Sequence, residues 1–206
     1  LRKPLRSVEI HSKKPVVAEL NGSPTDNNAT LFKNGYDSVL NPLYKNGTFK
    51  KGPDQSVPQW DNQKALTIFE QMLAKTGNKI DAVAAANDGL ANAVVSALKN
   101  QKLKPIPLSG QDATPQGVQN ILAGWQTMTV YKAVPKQAAA AAQAVIGLLK
   151  GTPVKTNGVV NNGSKKVPAI LIQPTSITKA NYKVLFTDKF LKKSEVCVGE
   201  YAKYCK

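Results

Sequence analysis

Arginine is almost missing from this sequence. Of 28 basic residues only Arg2 and Arg6 are arginine, so lysine carries nearly all of a formal net charge of +15. Nucleic-acid readers favour the planar guanidinium, which grips phosphate and guanine with two parallel hydrogen bonds. The lysines are spread along the chain, with short runs at Lys13-Lys14, Lys50-Lys51, Lys165-Lys166 and Lys192-Lys193. They read as a solvated surface rather than a phosphate-binding patch, and no nucleic-acid partner is expected. Histidine occurs once, at His11, and cysteine twice, at Cys197 and Cys205. That inventory excludes a zinc cluster and a C-x-x-C redox pair. No run approaches the roughly 20 apolar residues of a membrane span. No G-x-S-x-G elbow, Walker-type phosphate loop or G-x-G-x-x-G after a strand occurs. Without a nucleophile–base constellation, the expectation is a protein that is not an enzyme and needs no cofactor or metal. An initiator Met is also lacking. The start, Leu1-Arg2-Lys3-Pro4, is no signal peptide and reads as a cut end, leaving room for a longer natural chain.

What is present is a chain of 206 residues, 42% of them hydrophobic, enough for one large domain or two small lobes. Pro15-Val-Val-Ala-Glu-Leu20 reads as a buried strand ending in the turn cluster Asn21-Gly22-Ser23-Pro24. Helical spacing of apolar residues follows over 27–40, and a short edge strand over 48–52. A second helix is expected over 61–75, stopped by Gly77. Strands over 80–86, 105–109 and 126–131 alternate with helices over 90–99, from Thr114-Pro115 onward, and over 135–150. Repeated strand–turn–helix units imply an α/β fold: a parallel sheet sandwiched between helices in three layers. Residues 150–166 read as a loop or β-ribbon, 169–173 as a late strand, and the stretch beyond Asn181 as an ordered tail. Cys197 and Cys205 suit a local disulfide with Gly199 supplying the turn, against the alternative of two unpaired thiols. Such a bridge points to an oxidising, extracytoplasmic place.

Ligands of open parallel sheets sit beyond the carboxyl ends of the strands. The polar residues expected there are Asp26, Asn27 and Asn28, then Asn87 and Asp88, then Gln111 and Asp112, then Lys132, with Trp60 ahead of the second helix. Planar carboxylates and amides can bridge neighbouring hydroxyls, a lysine can donate to one oxygen, and an indole offers a flat apolar face to C–H groups. The set therefore suits a neutral polyol. Plainer roles exist for each: Asp26, Asn87 and Asp112 as helix caps, Trp60 as core, Lys132 as a solvated charge.

Four segments carry a resemblance: Gly22-Ser-Pro-Thr-Asp-Asn-Asn-Ala29, Lys79-Ile-Asp-Ala-Val-Ala-Ala-Ala-Asn-Asp88, Ser109-Gly-Gln-Asp-Ala113 and Gln126-Thr-Met-Thr-Val-Tyr-Lys132. In this order and spacing they resemble the D-xylose-binding proteins of bacterial ABC sugar importers, within the type I periplasmic binding family. The resemblance runs from about Pro15 to Leu185. It implies an extracytoplasmic protein that holds a xylose-like monosaccharide and delivers it to a membrane permease. Asp26, Asn28, Asn87, Asp112 and Lys132 match polar sugar contacts, and Trp60 matches the aromatic that stacks on the ring. Residues 1–132 with about 169–206 would form the C-terminal lobe, and 133–168 would be a crossover helix and loop belonging to the N-terminal lobe. That lobe is almost wholly absent from the sequence, so it would come from a second chain, or the fragment would dock on a neighbour, or the helix over 135–150 is misplaced in this reading. Two other readings share the fold: the effector domain of a sugar-responsive transcription regulator, and a sugar co-receptor of a membrane sensor kinase.

Overall fold

The computed structural model describes residues 12–205. The chain start with Arg2 and Arg6, and His11, lie outside them. Two compact units emerge: one runs up to Val130 and resumes at Ser176, and the other is Tyr131–Thr175.

The first unit is built on parallel strands. β1 (Val16–Asn21) lies between β2 (Lys50–Ser56) and β3 (Ala82–Ala85), both parallel to it. Alternation along β1 decides which helices cover which face. Ala18 and Leu20 point to the face where α2 (Asn62–Thr76) and α3 (Asp88–Asn100) pack, joining Phe69, Leu73, Val94 and Leu98 in one core. Val17, Glu19 and Asn21 point to the other face, covered by α1 (Asn27–Lys45). These are the three layers expected. β2 carries Pro53, which an edge strand tolerates. Its register slips between Val17 and Glu19, where Gly52 is required: a Cβ there would come within 2.8 Å of the Val17 carbonyl oxygen.

Helix boundaries follow from side-chain caps. Asp61 accepts hydrogen bonds from the Gln63 and Lys64 amides at the start of α2, and Gly77, at φ 59°, ends it. Thr114 caps α4 (Pro115–Ala123), whose first residue is proline. β4 (Thr129–Tyr131) follows, and pairs with β7 (Thr175–Ile177).

Two expected strands are corrected. Residues 105–109 form only a single parallel bridge, Leu108 with Val83. Pro105 and Pro107 have no N–H for a ladder; what remains is Val83 N–H to the Pro107 carbonyl and Ser109 N–H to the Val83 carbonyl. Of 169–173 only Ala169 is strand, as the last residue of a strand that begins at Lys166. The Asn157 side chain engages both backbone groups of Leu171, at 2.9 and 2.6 Å, where a strand partner would have done so. The stretch beyond Asn181 is more than a tail. It forms α6 (Val184–Thr187), α7 (Lys193–Val196) and a 3-10 turn, Gly199–Tyr204, and fully buries Leu185 and Val196. Cys197 and Cys205 are joined by a disulfide, with Gly199 in the left-handed turn at φ 55°.

The second unit holds α5 (Val134–Leu149) and an antiparallel hairpin of β5 (Gly158–Asn161) and β6 (Lys166–Ala169), so 150–166 is in part a β-ribbon. No residue of α5 is buried. A cavity of about 870 Å³ in this unit is lined by Ala140, Ala144, Leu148, Val154, Ile170 and Ile172, among others. No helix among the described residues is long and apolar enough to cross a membrane.

Candidate functional site

The carboxyl ends of β2, β1, β3 and the Leu108 bridge stand side by side in that order, since Asn21 pairs with Ser56, Leu20 with Ala85 and Val83 with Leu108. The loops leaving them share one edge of the first unit.

Asp26, Asn28 and Trp60 are brought together there. Asp26 caps α1, its Oδ1 accepting from the Asn28 amide at 2.8 Å, and its Oδ2 accepts from the indole Nε1 of Trp60 at 3.1 Å. Trp60 reaches this position through two left-handed residues, Gln59 (φ 59°) and Trp60 itself (φ 56°). The indole lies against Gly22, where a Cβ would sit 2.0 Å from the ring. Ser23 fixes the turn by accepting from the Gln59 amide at 3.1 Å. The capping role of Asp26 and a half-buried, hydrogen-bonded indole are thus parts of one assembly.

Asn87 caps α3, its Oδ1 accepting from the Leu90 amide at 2.9 Å, a bond that uses the side chain's acceptor and not its amide N–H donors. Asp112 and Ala113 are both left-handed, at φ 98° and 50°, although neither is glycine. Such residues cost on the order of 1–3 kcal/mol each and persist only where their surroundings hold them. Here β4 does so: the Asp112 amide donates to the Val130 carbonyl at 2.9 Å and the Ala113 amide to Thr129 Oγ1 at 3.1 Å. Lys132 directly follows β4 and falls in the second unit.

The residue under this edge is Asp88, fully buried. Its Oδ2 accepts from the amide and hydroxyl of Thr114, at 2.8 and 3.1 Å, and its Oδ1 from Gln126 Nε2 at 2.8 Å. Thr129 adds a further side-chain hydrogen bond. Its own amide donates to the Gln111 carbonyl at 2.9 Å. One carboxyl therefore ties together the loop after β3, the Gln111–Thr114 loop and β4. Burial pushes its pKa up, against the pull of Gln126, Thr129 and Thr114. From the sequence Asp88 was one polar residue among several at the strand ends. The better signal is Gly110 and Gly117, where a Cβ would fall 2.2 and 2.3 Å from the Asp88 carboxyl oxygens.

Also unforeseen is a polar network beneath α1. Glu19, fully buried in β1, accepts from Lys33 and from the Tyr44 hydroxyl (3.0 Å). Lys33 also reaches Asp54 (2.9 Å) and Asp37 (3.3 Å), and Lys51 reaches Asp54 (2.9 Å). Asn21 joins it, donating to Asp54 at 2.7 Å and accepting from the Tyr36 hydroxyl. A lone glutamate inside an apolar strand, Val16-Val-Ala-Glu-Leu20, was the available sign.

Chemically the strand-end edge offers carboxylates, amides and an indole face. These hydrogen-bond hydroxyls and cover C–H groups. Among the described residues no group of His, Cys, Asp and Glu could hold a metal ion.

Fold and strand order define an open parallel α/β unit of a kind found in a known family. The periplasmic binding protein domain matches residues 8–153, and the chain belongs to that family. Its fold is the type I periplasmic binding fold. The chain is 43% identical over 163 residues to the D-xylose-binding periplasmic protein of Haemophilus influenzae, covering 79% of this chain and 49% of that protein. It is 42% identical over 179 residues to the protein of the same name in Escherichia coli, covering 86% and 54%. It spans about half the length of these curated relatives. A solute-binding protein of an ABC transporter from Clostridium phytofermentans, solved with bound β-D-glucose, superposes with a TM-score of 0.82 at 28% identity, over 90% of this chain and 61% of that one.

Proposed function

We propose that the chain supplies one wall of the ligand cleft of an extracytoplasmic protein that binds a monosaccharide, xylose or a near relative, for an ABC importer. The supporting observation is the shared edge: Trp60, Asp26 with Asn28, Asn87 and Asp112 leave neighbouring strands in spatial order, and Asp88 holds the last two loops. In this reading they contact sugar hydroxyls and the ring face, Lys132 adds a donor, and no bond is made or broken. The permease is the partner, with closure of two lobes around the sugar as the signal it reads. Residues 1–132 with about 169–206 belong to the C-terminal lobe. Residues 133–168 belong to the opposite lobe, which would cover the bare side of α5 at Ala138, Ala142, Val145, Ile146 and Leu149. The two closely similar relatives bear periplasmic, sugar-binding names, which favours this over a transcription regulator or a sensor co-receptor.

Calorimetry of the full-length protein against pentoses and hexoses tests the reading. Heat of binding with a pentose is expected, and silence from every sugar would sink it. Trp60→Ala and Asp112→Ala in that protein are each expected to weaken binding at least about tenfold, the loss of roughly 1.4 kcal/mol of contact. Unchanged affinity in both would reject the site and leave the sugar-binding role standing.

A further inference from the structure

Nine of the exposed lysines are gathered by the fold at one end of the first unit. In a parallel sheet with returning helices, strand starts and helix ends meet at one end of the unit. Lys13 and Lys14 precede β1, Lys45 ends α1 and Lys50 opens β2. Lys75 and Lys79 lie between the last turn of α2 and β3. Lys99, Lys102 and Lys104 lie between the last turn of α3 and the Leu108 bridge. All nine are exposed. Over the same segments the only acidic residue is Asp81, whose carboxylate accepts from the Val16 amide at 2.8 Å. The loops leaving β1, β2, β3 and the Leu108 bridge at their carboxyl ends carry Asp26, Asp61 and Asp112 against Lys64, with Asp88 buried beneath them. Helix dipoles account for Lys45, Lys75 and Lys99, which stand in last turns. They do not account for the six on loops and strand starts.

We propose that this lysine face is a docking surface for an anionic phospholipid bilayer, an interaction separate from sugar binding. The face is made of three strand starts and three helix ends, a broad end of the sandwich that matches a plane rather than a strand of polymer. Lysine suits it, because point charges adsorb to a charged surface without the geometry that guanidinium recognition needs. None of the large exposed apolar side chains falls in these segments, so nothing is there to insert, and attachment is electrostatic and reversible. Bound this way, the unit turns its strand-end loops away from the lipid.

Co-sedimentation of the 206-residue chain with vesicles tests it. Binding is expected to vesicles of phosphatidylcholine with about a third phosphatidylglycerol, absent from phosphatidylcholine alone, and reduced at least about tenfold between roughly 50 and 500 mM salt. Combined Lys13→Gln, Lys50→Gln, Lys79→Gln and Lys104→Gln is expected to weaken it at least about tenfold. The control, Lys150→Gln, Lys155→Gln, Lys165→Gln and Lys166→Gln, removes the same charge from the second unit and should leave binding within about threefold. Thermal melts of both variants verify that the fold is kept. Equal loss in the two variants, binding to phosphatidylcholine alone, or no binding to either vesicle overturns the proposal. So does binding to polyphosphate or DNA without binding to vesicles.

Discussion

Single residues here carry more than their position suggests. Asp88 accepts from four side-chain and backbone donors in the dark interior under two left-handed residues. Asp88→Ala strands those donors, and each buried donor left unpaired costs about 1–3 kcal/mol. We expect a loss of about 3–5 kcal/mol, measured as a fall in the urea midpoint, because some donors will find water. Asp88→Asn keeps the shape and can still accept from the Thr114 amide, so it should cost less than half as much. Asp54 makes the complementary case in acid. Burial opposes its ionisation, but Lys51, Lys33 and Asn21 outweigh that and bring it from the usual 3.8 down to about 2. A lowered carboxylate stabilises the fold above its ordinary pKa and loses that contribution as pH falls through the lowered value. Asp54 should therefore contribute about 1–2 kcal/mol above pH ~4, after allowance for its partial exposure, fading toward pH ~2. Glu19 is pushed up, first by burial, and acts in the opposite sense. The test is the difference in stability between wild type and Asp54→Asn, which should shrink between pH ~4 and ~2; a constant difference would refute the assignment.

At the scale of elements, the sequence was legible where local chemistry decides and opaque where partners decide. Caps at Asp26, Asn87 and Thr114 and the stop at Gly77 are local, and the helices they bound lie where periodicity placed them. Residues 105–109 looked like a strand by apolar pattern, yet two prolines leave the segment one bridge. Residues 169–173 failed for the opposite reason: a side chain 14 residues away, Asn157, took the strand's hydrogen bonds. In the candidate site, the strand-end residues could be located, because chain order in repeated strand–helix units fixes which turns share an edge. What the sequence concealed was their support, since Asp88 reaches Gln126 across 38 positions. The C-terminal elements are held by packing and by a covalent link. Cys197 and Cys205 close a short loop beside Val196, and Gln119 of α4 donates to the Val196 carbonyl at 3.1 Å. On chain entropy a loop of this size stabilises by about 2–3 kcal/mol. Reduction should lower the unfolding free energy by that amount, and Cys197→Ser with Cys205→Ser should match it. A reduced protein as stable as the oxidised one would show that packing of Leu185 and Val196 alone holds the end in place.

For the whole molecule, stability is concentrated in the first unit. Among the described residues its central core runs from Ala18 to Leu108, while in the second unit helix α5 buries no residue. Instead that helix exposes Val145, Ile146, Leu148 and Leu149, at 55, 51, 71 and 83%. Apolar exposure on this scale marks a surface made for contact, and a segment built to pack elsewhere contributes little to the fold it leaves. Excising residues 134–174 and joining the ends by a flexible Gly/Ser linker of about ten residues, roughly 17 Å in root-mean-square span, keeps Tyr131 and the whole of β7. The expected outcome is a folded protein whose unfolding free energy is unchanged or raised by about 1 kcal/mol, since a loop shortened about fourfold costs less entropy to close. If instead it lowers stability by more than about 2 kcal/mol, the excised helix and hairpin are structural members of this chain, and assigning them to an opposite lobe is wrong.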